Sequence, residues 1–385
     1  MKGKYTSYLK HFVAHVYREA LRWRIKNIVT WRPLDEYAPG CTVVIGVCSR
    51  LPHVLAANIR CLNSSRWPEL TEVIAVVDGR KGCLPQGLEQ DLIEAYPELK
   101  ISFLYYSEEQ ATMAETLKLP YFYSWLSWCI GISQTKTVNL LIHDYDALIL
   151  GRTLRDRYDS FASSDAKVQG IAWYKVNGIT MDDCLATTFE AYFKTEFLHS
   201  VRPIELFNKL HTSDGRSIDF DTTLEIQFRL LKRNERQIMP MNEDELVHPS
   251  QMIHQYTMFR KFPAGNLPSY SIPMIPFFDY LSGRNESIEA ALHALSASNR
   301  NDMDFLNDGT RINFSQLRLG HVDWDLKQIV QALVILKARP DPLIFNYGKS
   351  LYKLVDSLDS DVWSGDFTPK QKQWIQSAME AGINP

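Results

Sequence analysis

Short apolar runs rich in β-branched residues alternate with helical periods through the middle of this chain, which predicts an α/β fold: a mostly parallel sheet with helices on both faces. Two further observations frame that core. A basic amphipathic segment precedes it, and a purely helical pattern follows it, so the organisation expected is 1–32, 33–284 and 285–385. With 385 residues, 45% of them hydrophobic and 12% aromatic, the chain has ample material for a buried core.

The run 41–48 (CTVVIGVC) reads as the first strand of that core. The stretch 51–62 places Leu51, Val54, Leu55, Ile59 and Leu62 on one helical face, with Pro52 tolerated in its first turn. A second run at 72–78 (EVIAVVD), a helix at 86–96, a third run at 100–106, an aromatic helix at 119–134 and a fourth run at 138–142 continue the alternation. The runs are continuously apolar, the pattern of strands buried on both faces. In such sheets ligands bind beyond the carboxyl ends of the strands. The candidates are therefore the residues after each run: Cys48, Ser49 and Arg50 after the first, Asp78 and Gly79 after the second, and His143, Asp144, Tyr145 and Asp146 after the fourth. From about Asn285 the pattern is helical, with helices expected over 287–298 and 323–338 and a last one capped by Thr368, with Pro369 in its first turn and Gly382 near its end.

Overall charge excludes a general polyanion binder, since 42 basic residues face 45 acidic ones for a net −3, and no nucleic-acid partner is expected. The first 32 residues depart from this balance, with eight basic residues against Glu19 alone, a net +7. In the same segment Tyr5, Tyr8, Leu9, Phe12, Val13, Val16, Tyr17, Ala20, Leu21, Ile25, Ile28 and Val29 recur with helical period. Two readings fit: a helix lying in the interface of an anionic membrane, or one docked on the protein's own body or a second subunit. The longest apolar stretch, 121–133, is well short of the ~20 residues a membrane span needs. The six cysteines include no C-x-x-C pair, and the start of the chain lacks a signal-peptide core, so the expected location is cytoplasmic and peripheral at the inner face of the membrane.

Asp144 and Asp146 flank one residue directly after an apolar strand, which brings two hard oxygen ligands together at the ligand-binding edge. Such a pair suits Mg²⁺ or Mn²⁺ shared with a diphosphate, although aspartates also serve as plain turn residues at strand ends. The segments CTVVIGVCSR, EVIAVVDG and NLLIHDYDALIL, in this order and spacing, resemble a glycosyltransferase of the GT-A fold, family-2-like, with a Rossmann-like sheet; the resemblance covers roughly 41–260. It implies a metal-dependent transfer of sugar from a nucleotide-sugar, a UDP-sugar above others, to a hydroxyl of a glycan or lipid-linked acceptor with inversion, as in polysaccharide biosynthesis. By the same resemblance, Asp146 binds Mn²⁺ or Mg²⁺ and Asp144 contacts the ribose or the metal. Asp78 reads the nucleobase edge, and Cys48, Ser49 and Arg50 line the nucleotide pocket.

Such transferases place a catalytic carboxylate later in the chain at the head of a helix. The stretch 217–231 offers this, with Asp221 at the start of a stripe formed by Leu224, Phe228 and Leu231. The pair of adjacent acids usual in inverting members is split here as Asp219 and Asp221, which leaves either as the base; a helix N-cap is the plain alternative for Asp221. Asp182 and Asp183 are second choices. Two histidines beyond, His254 and then His248 in order of preference, are candidates for a third metal ligand, which would incline the site toward Mn²⁺.

Other classes use strand-end aspartates as well. A haloacid-dehalogenase-type phosphatase needs Thr or Val two residues after its D-x-D at the first strand, whereas Leu148 stands two residues after this D-x-D, which ends the fourth run. A nucleotidyltransferase needs a Gly-rich loop after the first strand, and Ser49-Arg50-Leu51-Pro52 has no glycine. The non-enzyme alternative is a membrane-attached scaffold that binds a nucleotide-sugar or sugar without turnover.

Overall fold

The computed structural model describes residues 2–213, 215–262, 269–297, 300–356 and 363–383. In chain order the elements begin with β1 (Lys2–Gly3), α1 (Tyr8–Ile25), β2 (Ala38–Val47), α2 (Pro52–Ser64), β3 (Leu70–Val77), α3 (Leu88–Ala95), β4 (Ile101–Tyr105), α4 (Glu108–Leu117), α5 (Pro120–Gln134) and β5 (Thr137–His143). Next come β6 (Leu148–Ile149), α6 (Thr153–Ala162), β7 (Val168–Gly170), β8 (Ala191–Lys194), α7 (Thr195–His199), α8 (Pro203–Leu206), β9 (Lys209–Ser213), β10 (Arg216–Phe220), α9 (Leu224–Leu230), β11 (Arg236–Ile238) and β12 (Leu246–Val247). The remainder is helical: α10 (Met252–Lys261), α11 (Met274–Leu281), α12 (Glu286–Ser296), α13 (Leu319–Ile335), α14 (Pro342–Asp356) and α15 (Pro369–Ile383). The end expected for α12, at Ser298, lies outside the described residues. Among the described residues no helix is long and apolar enough to cross a membrane.

The chain packs as two compact units that interleave along the sequence. One comprises Met1–Arg50, Arg66–Tyr145 and Leu154–Met241, the other Leu51–Ser65, Asp146–Thr153 and Asn242–Pro385.

The first unit holds a seven-stranded sheet in the order β11-β7-β8-β5-β2-β3-β4. Its pairings are parallel except those that β8 makes with β5 and β7, so one strand of the seven runs against the rest. This is the α/β architecture that the apolar runs predict. One face carries Val44, Ile74, Val76, Leu140 and Ile142 against Phe122, Trp125, Leu126 and Cys129 of α5 in a single cluster. On the same sheet Tyr192 meets Tyr158 and Phe161 of α6, with ring centroids 6.1 and 5.8 Å apart. Several elements of this unit were not read from sequence, among them α6, β7, β8, β9 and β11, and α4, whose Ser107–Gln110 capping box is legible in retrospect. A smaller sheet, β1-β10-β9, completes this unit beside α1.

In the second unit α2 packs on β6 and α11, α13 on β12, α14 and α15, and α12 on α11 and α14. Phe277, Leu326, Ile329, Leu333, Ile344, Tyr347 and Leu351 are buried in it. Among the described residues from 286 onward no strand forms; one isolated bridge joins Met303 to Ile312.

Close approach of α5 to the sheet depends on Gly131, where an added Cβ would lie 2.3 Å from Val44 Cγ1. Gly131→Ala therefore overpacks the interface and is expected to cost about 1–3 kcal/mol, read as a lower urea midpoint at unchanged slope. Val44→Ala in the same chain should recover part of that loss; a wild-type midpoint for Gly131→Ala alone would contradict the packing.

Candidate active site

Strand register brings the first candidates together. Val47 pairs with Val77, so Cys48 and Asp78 stand one step beyond at the carboxyl ends of β2 and β3. Ile45 pairs with His143, so Asp144 leaves β5 on the other side of β2. Neighbouring strands lie ~4.8 Å apart, so these ends share one edge. The Ser49 amide donates to Asp78 Oδ1 at 2.7 Å, and the Asp78 amide donates to Val47 O at 3.0 Å, which ties the two strand ends into one ledge. Burial pushes the Asp78 carboxyl above the usual carboxylate range, opposed by the Ser49 hydrogen bonds and the Arg50 charge. Cys48 is buried and Arg50 exposed.

The turn after β5 is held by a residue that sequence reasoning missed. His143 and Glu190 are both fully buried, with His143 Nδ1 2.7 Å from Glu190 Oε1. The same oxygen accepts the Asp144 amide at 2.9 Å. Glu190 sits at φ +46°, and Arg157, itself buried, donates to the Glu190 carbonyl at 2.8 Å. Nothing in the sequence marks Glu190, an isolated acid 46 residues beyond Asp144 in an irregular stretch.

Asp146 is buried, and its Oδ1 lies 3.6 Å from His248 Nε2. Local pairing explains this. β6 follows Asp146 and pairs antiparallel with β12, Leu246 opposite Ile149 and Val247 opposite Leu148, so the residue after β12 returns beside Asp146. Glu245 secures the pairing by accepting from the Arg152 and Thr153 amides at 2.9 and 2.8 Å. Its carboxylate passes over Gly151, at φ +67°, where a Cβ would meet it at 2.3 Å. The His248 amide donates to Gln328 Oε1 at 2.8 Å.

Ligand atoms of Asp144, Asp146 and His248 all lie within 4.8 Å of one another. Around a small octahedral cation with ligands ~2.1 Å away, donor atoms sit roughly 3 Å apart when adjacent and roughly 4.2 Å apart when opposite. The 3.6 Å Asp146–His248 separation falls between these values. Two carboxylates and one imidazole form a donor set that suits Mn²⁺ or Mg²⁺. His254, the preferred third ligand from sequence, is not in this group. It sits in the first turn of α10, after the chain has left the strand through Gln251 at φ +67°, whereas β12 pairing anchors His248.

The two candidate bases are held differently. Asp219 stands in β10 opposite Leu210, with its carboxylate 3.6 Å from Arg18 of α1. Burial raises its proton affinity and Arg18 opposes, with burial prevailing. Asp221 follows the strand, its Oδ1 accepting from Asn208 Nδ2 at 2.9 Å and the Thr222 amide at 2.8 Å. It is not the N-cap of α9, because Thr223 at φ +70° takes that position and the helix starts at Leu224. Tyr174 lies near both, its phenol pushed up to about 12 by burial and then by the charges of Asp221 and Asp219. Of the second choices, Asp183 is engaged by Arg216 at 2.9 Å and the Thr180 amide at 2.7 Å, while Asp182 is exposed.

If the group is a metal site, His248→Ala should weaken Mn²⁺ affinity at least tenfold in calorimetric titration of the purified protein, and Asp146→Ala should weaken it further. His254→Ala should leave it within twofold; the reverse order between the histidines would restore His254 as the ligand.

No protein-family model matches the chain, and no curated protein matches it. Among solved structures it is similar to the mannosyltransferase PcManGT from Pyrobaculum calidifontis in complex with GDP-Man and Mn²⁺, at 15% identity and TM-score 0.37, over 76% of this chain and 86% of that one. It is also similar to S. aureus TarS 1-349 in complex with UDP, at 12% identity and TM-score 0.34, over 89% of this chain and 92% of that one. A third is the galactosyltransferase LgtC with donor and acceptor sugar analogs, at 9% identity and TM-score 0.34, over 43% of this chain and 62% of that one. Likenesses this distant carry no argument for activity, which rests on the residues of this chain.

Proposed function

We propose that the protein is a metal-dependent glycosyltransferase that moves a sugar from a nucleotide-sugar, a UDP-sugar above others, to a hydroxyl of a glycan or lipid-linked acceptor with inversion. The observation that carries this reading is the group of Asp144 and Asp146, directly after β5, with His248, directly after β12, together with Ser49 and Asp78 tied at the ends of neighbouring parallel strands. That is the edge where a parallel α/β sheet receives a nucleotide.

In this reading Cys48, Ser49 and Arg50 line the nucleotide pocket and Asp78 accepts from the base edge. Asp144, Asp146 and His248 would hold a divalent ion, Mn²⁺ or Mg²⁺, which would supply positive charge against the leaving diphosphate. Glu190 keeps Asp144 in place by accepting its amide. The acceptor oxygen forms its bond to the anomeric carbon as the carbon–oxygen bond to the diphosphate breaks, and the hydroxyl proton passes to Asp221. Asp221 is preferred to Asp219 because the latter's carboxylate is engaged with Arg18. Its bond from Asn208 orients the carboxylate.

A panel of UDP-, GDP- and CMP-sugars, with and without Mn²⁺, assayed for both thermal shift and sugar transfer, tests the reading. Asp146→Ala should abolish transfer. Asp221→Asn should lower turnover ~10²–10⁴-fold with donor affinity within a few-fold. A larger loss from Asp219→Asn would move the base to that residue. A donor bound without transfer to any hydroxyl would identify a non-catalytic sugar-binding scaffold instead.

A further inference from the structure

Helix α1 is docked with its polar side inward. His11, Ala14, His15, Arg18, Leu21, Arg22 and Ile25 turn toward the protein. Polar contacts from that side hold it in place: Arg22 donates to the Phe207 carbonyl at 2.8 Å, and Arg18 lies 3.6 Å from Asp219 and 5.0 Å above the Tyr121 ring. At its far end Leu21 and Ile25 enter the core of the sheet.

The opposite side is apolar and exposed. Tyr8, Leu9, Phe12, Val13, Val16 and Tyr17 are 50–72% accessible, and Trp23 near the end of the helix is 72% accessible. At 100° per residue these seven, with Ala20, fill one half of the helix circumference, and the helix is about 27 Å long. A helix in a water-soluble protein ordinarily buries such a stripe, and a contiguous exposed one marks an interaction surface. Lys10 and Lys26 fall at the two borders of this stripe, Arg24 within its last turn, and all three are exposed. The one acid of the segment, Glu19, is engaged by Arg22 at 3.5 Å.

We infer that this face of α1 lies in the headgroup region of an anionic lipid leaflet, with the apolar half inserted and the lysines and arginine at phosphate level. Charge selects this occupant. A second copy would bring one unbalanced basic rim against another, whereas anionic headgroups neutralise it. Tyr8, Tyr17 and Trp23, apolar bodies with a polar tip, suit the same depth. The inference rests on α1 alone and does not depend on the transferase reading.

The test is sedimentation of the full chain with vesicles of phosphatidylcholine alone or of phosphatidylcholine mixed with anionic phosphatidylglycerol, with light scattering of the free protein in parallel. Binding to the anionic vesicles is expected at least tenfold above the neutral ones and should fall in high salt. Phe12→Glu with Val16→Glu should abolish it, and Lys10→Glu with Lys26→Glu should reduce it, with circular dichroism and thermal midpoint unchanged because these side chains are exposed. Failure of the wild type to bind anionic vesicles overturns the inference. So does a wild-type dimer that Phe12→Glu with Val16→Glu converts to monomer while vesicle binding is unaffected.

Discussion

Parallel pairing of β2 with β3 on one side and β5 on the other is the constraint from which the rest of the first unit follows. These three strands are buried on both faces, so their register is specified by the packing of every side chain, and a slip of one residue would turn each apolar group to the wrong face. That register decides which residues share the carboxyl edge: Cys48 beside Asp78, and Asp144 one step past His143. The close seat of α5, which only a glycine at 131 allows, locks the register from above.

Beyond the strand ends, the backbone is irregular, and buried and half-buried polar groups take over from apolar packing. Glu190 joins His143 to the Asp144 amide, Arg157 spans the carbonyls of Glu190 and Met239, and Glu245 ties β12 to the amides that follow β6. Glu190 and Arg157 would be costly to bury alone, and each of the three meets a partner distant in sequence. The consequence is a turn whose backbone is held at Asp144 by Glu190 and whose buried Asp146 carboxylate lies 3.6 Å from His248.

The N-terminal helix obeys a different rule. Its amphipathic pattern alone would seat the apolar stripe on the protein, yet two arginines with partners on the body, Phe207 O and Asp219, turn the polar side inward. A charged hydrogen bond that is buried is among the stronger single contacts, so the Arg22 bond, together with the Arg18–Asp219 ion pair, orients a helix whose outward apolar half gains nothing from water. The same contact places a guanidinium 3.6 Å from Asp219, and this is the ground on which Asp221 is proposed as the base.

Strand runs, their order, their parallel character and the position of the D-x-D were legible in the sequence, because continuous apolar runs and helical periods are local properties of the chain. So were the basic amphipathic segment and the helical character after residue 285. The antiparallel strand β8 was not, being short and set in irregular chain. Nor was the choice of His248 over His254: both are lone histidines six residues apart, and only the pairing of β12 with β6 decides which one returns to Asp146. Glu190 was invisible for the same reason, its partners lying 46 and 47 residues away. Periodicity determines which elements form; which side chains meet across them is decided by tertiary register and by where buried polar groups find partners, neither of which is written in any local stretch of sequence.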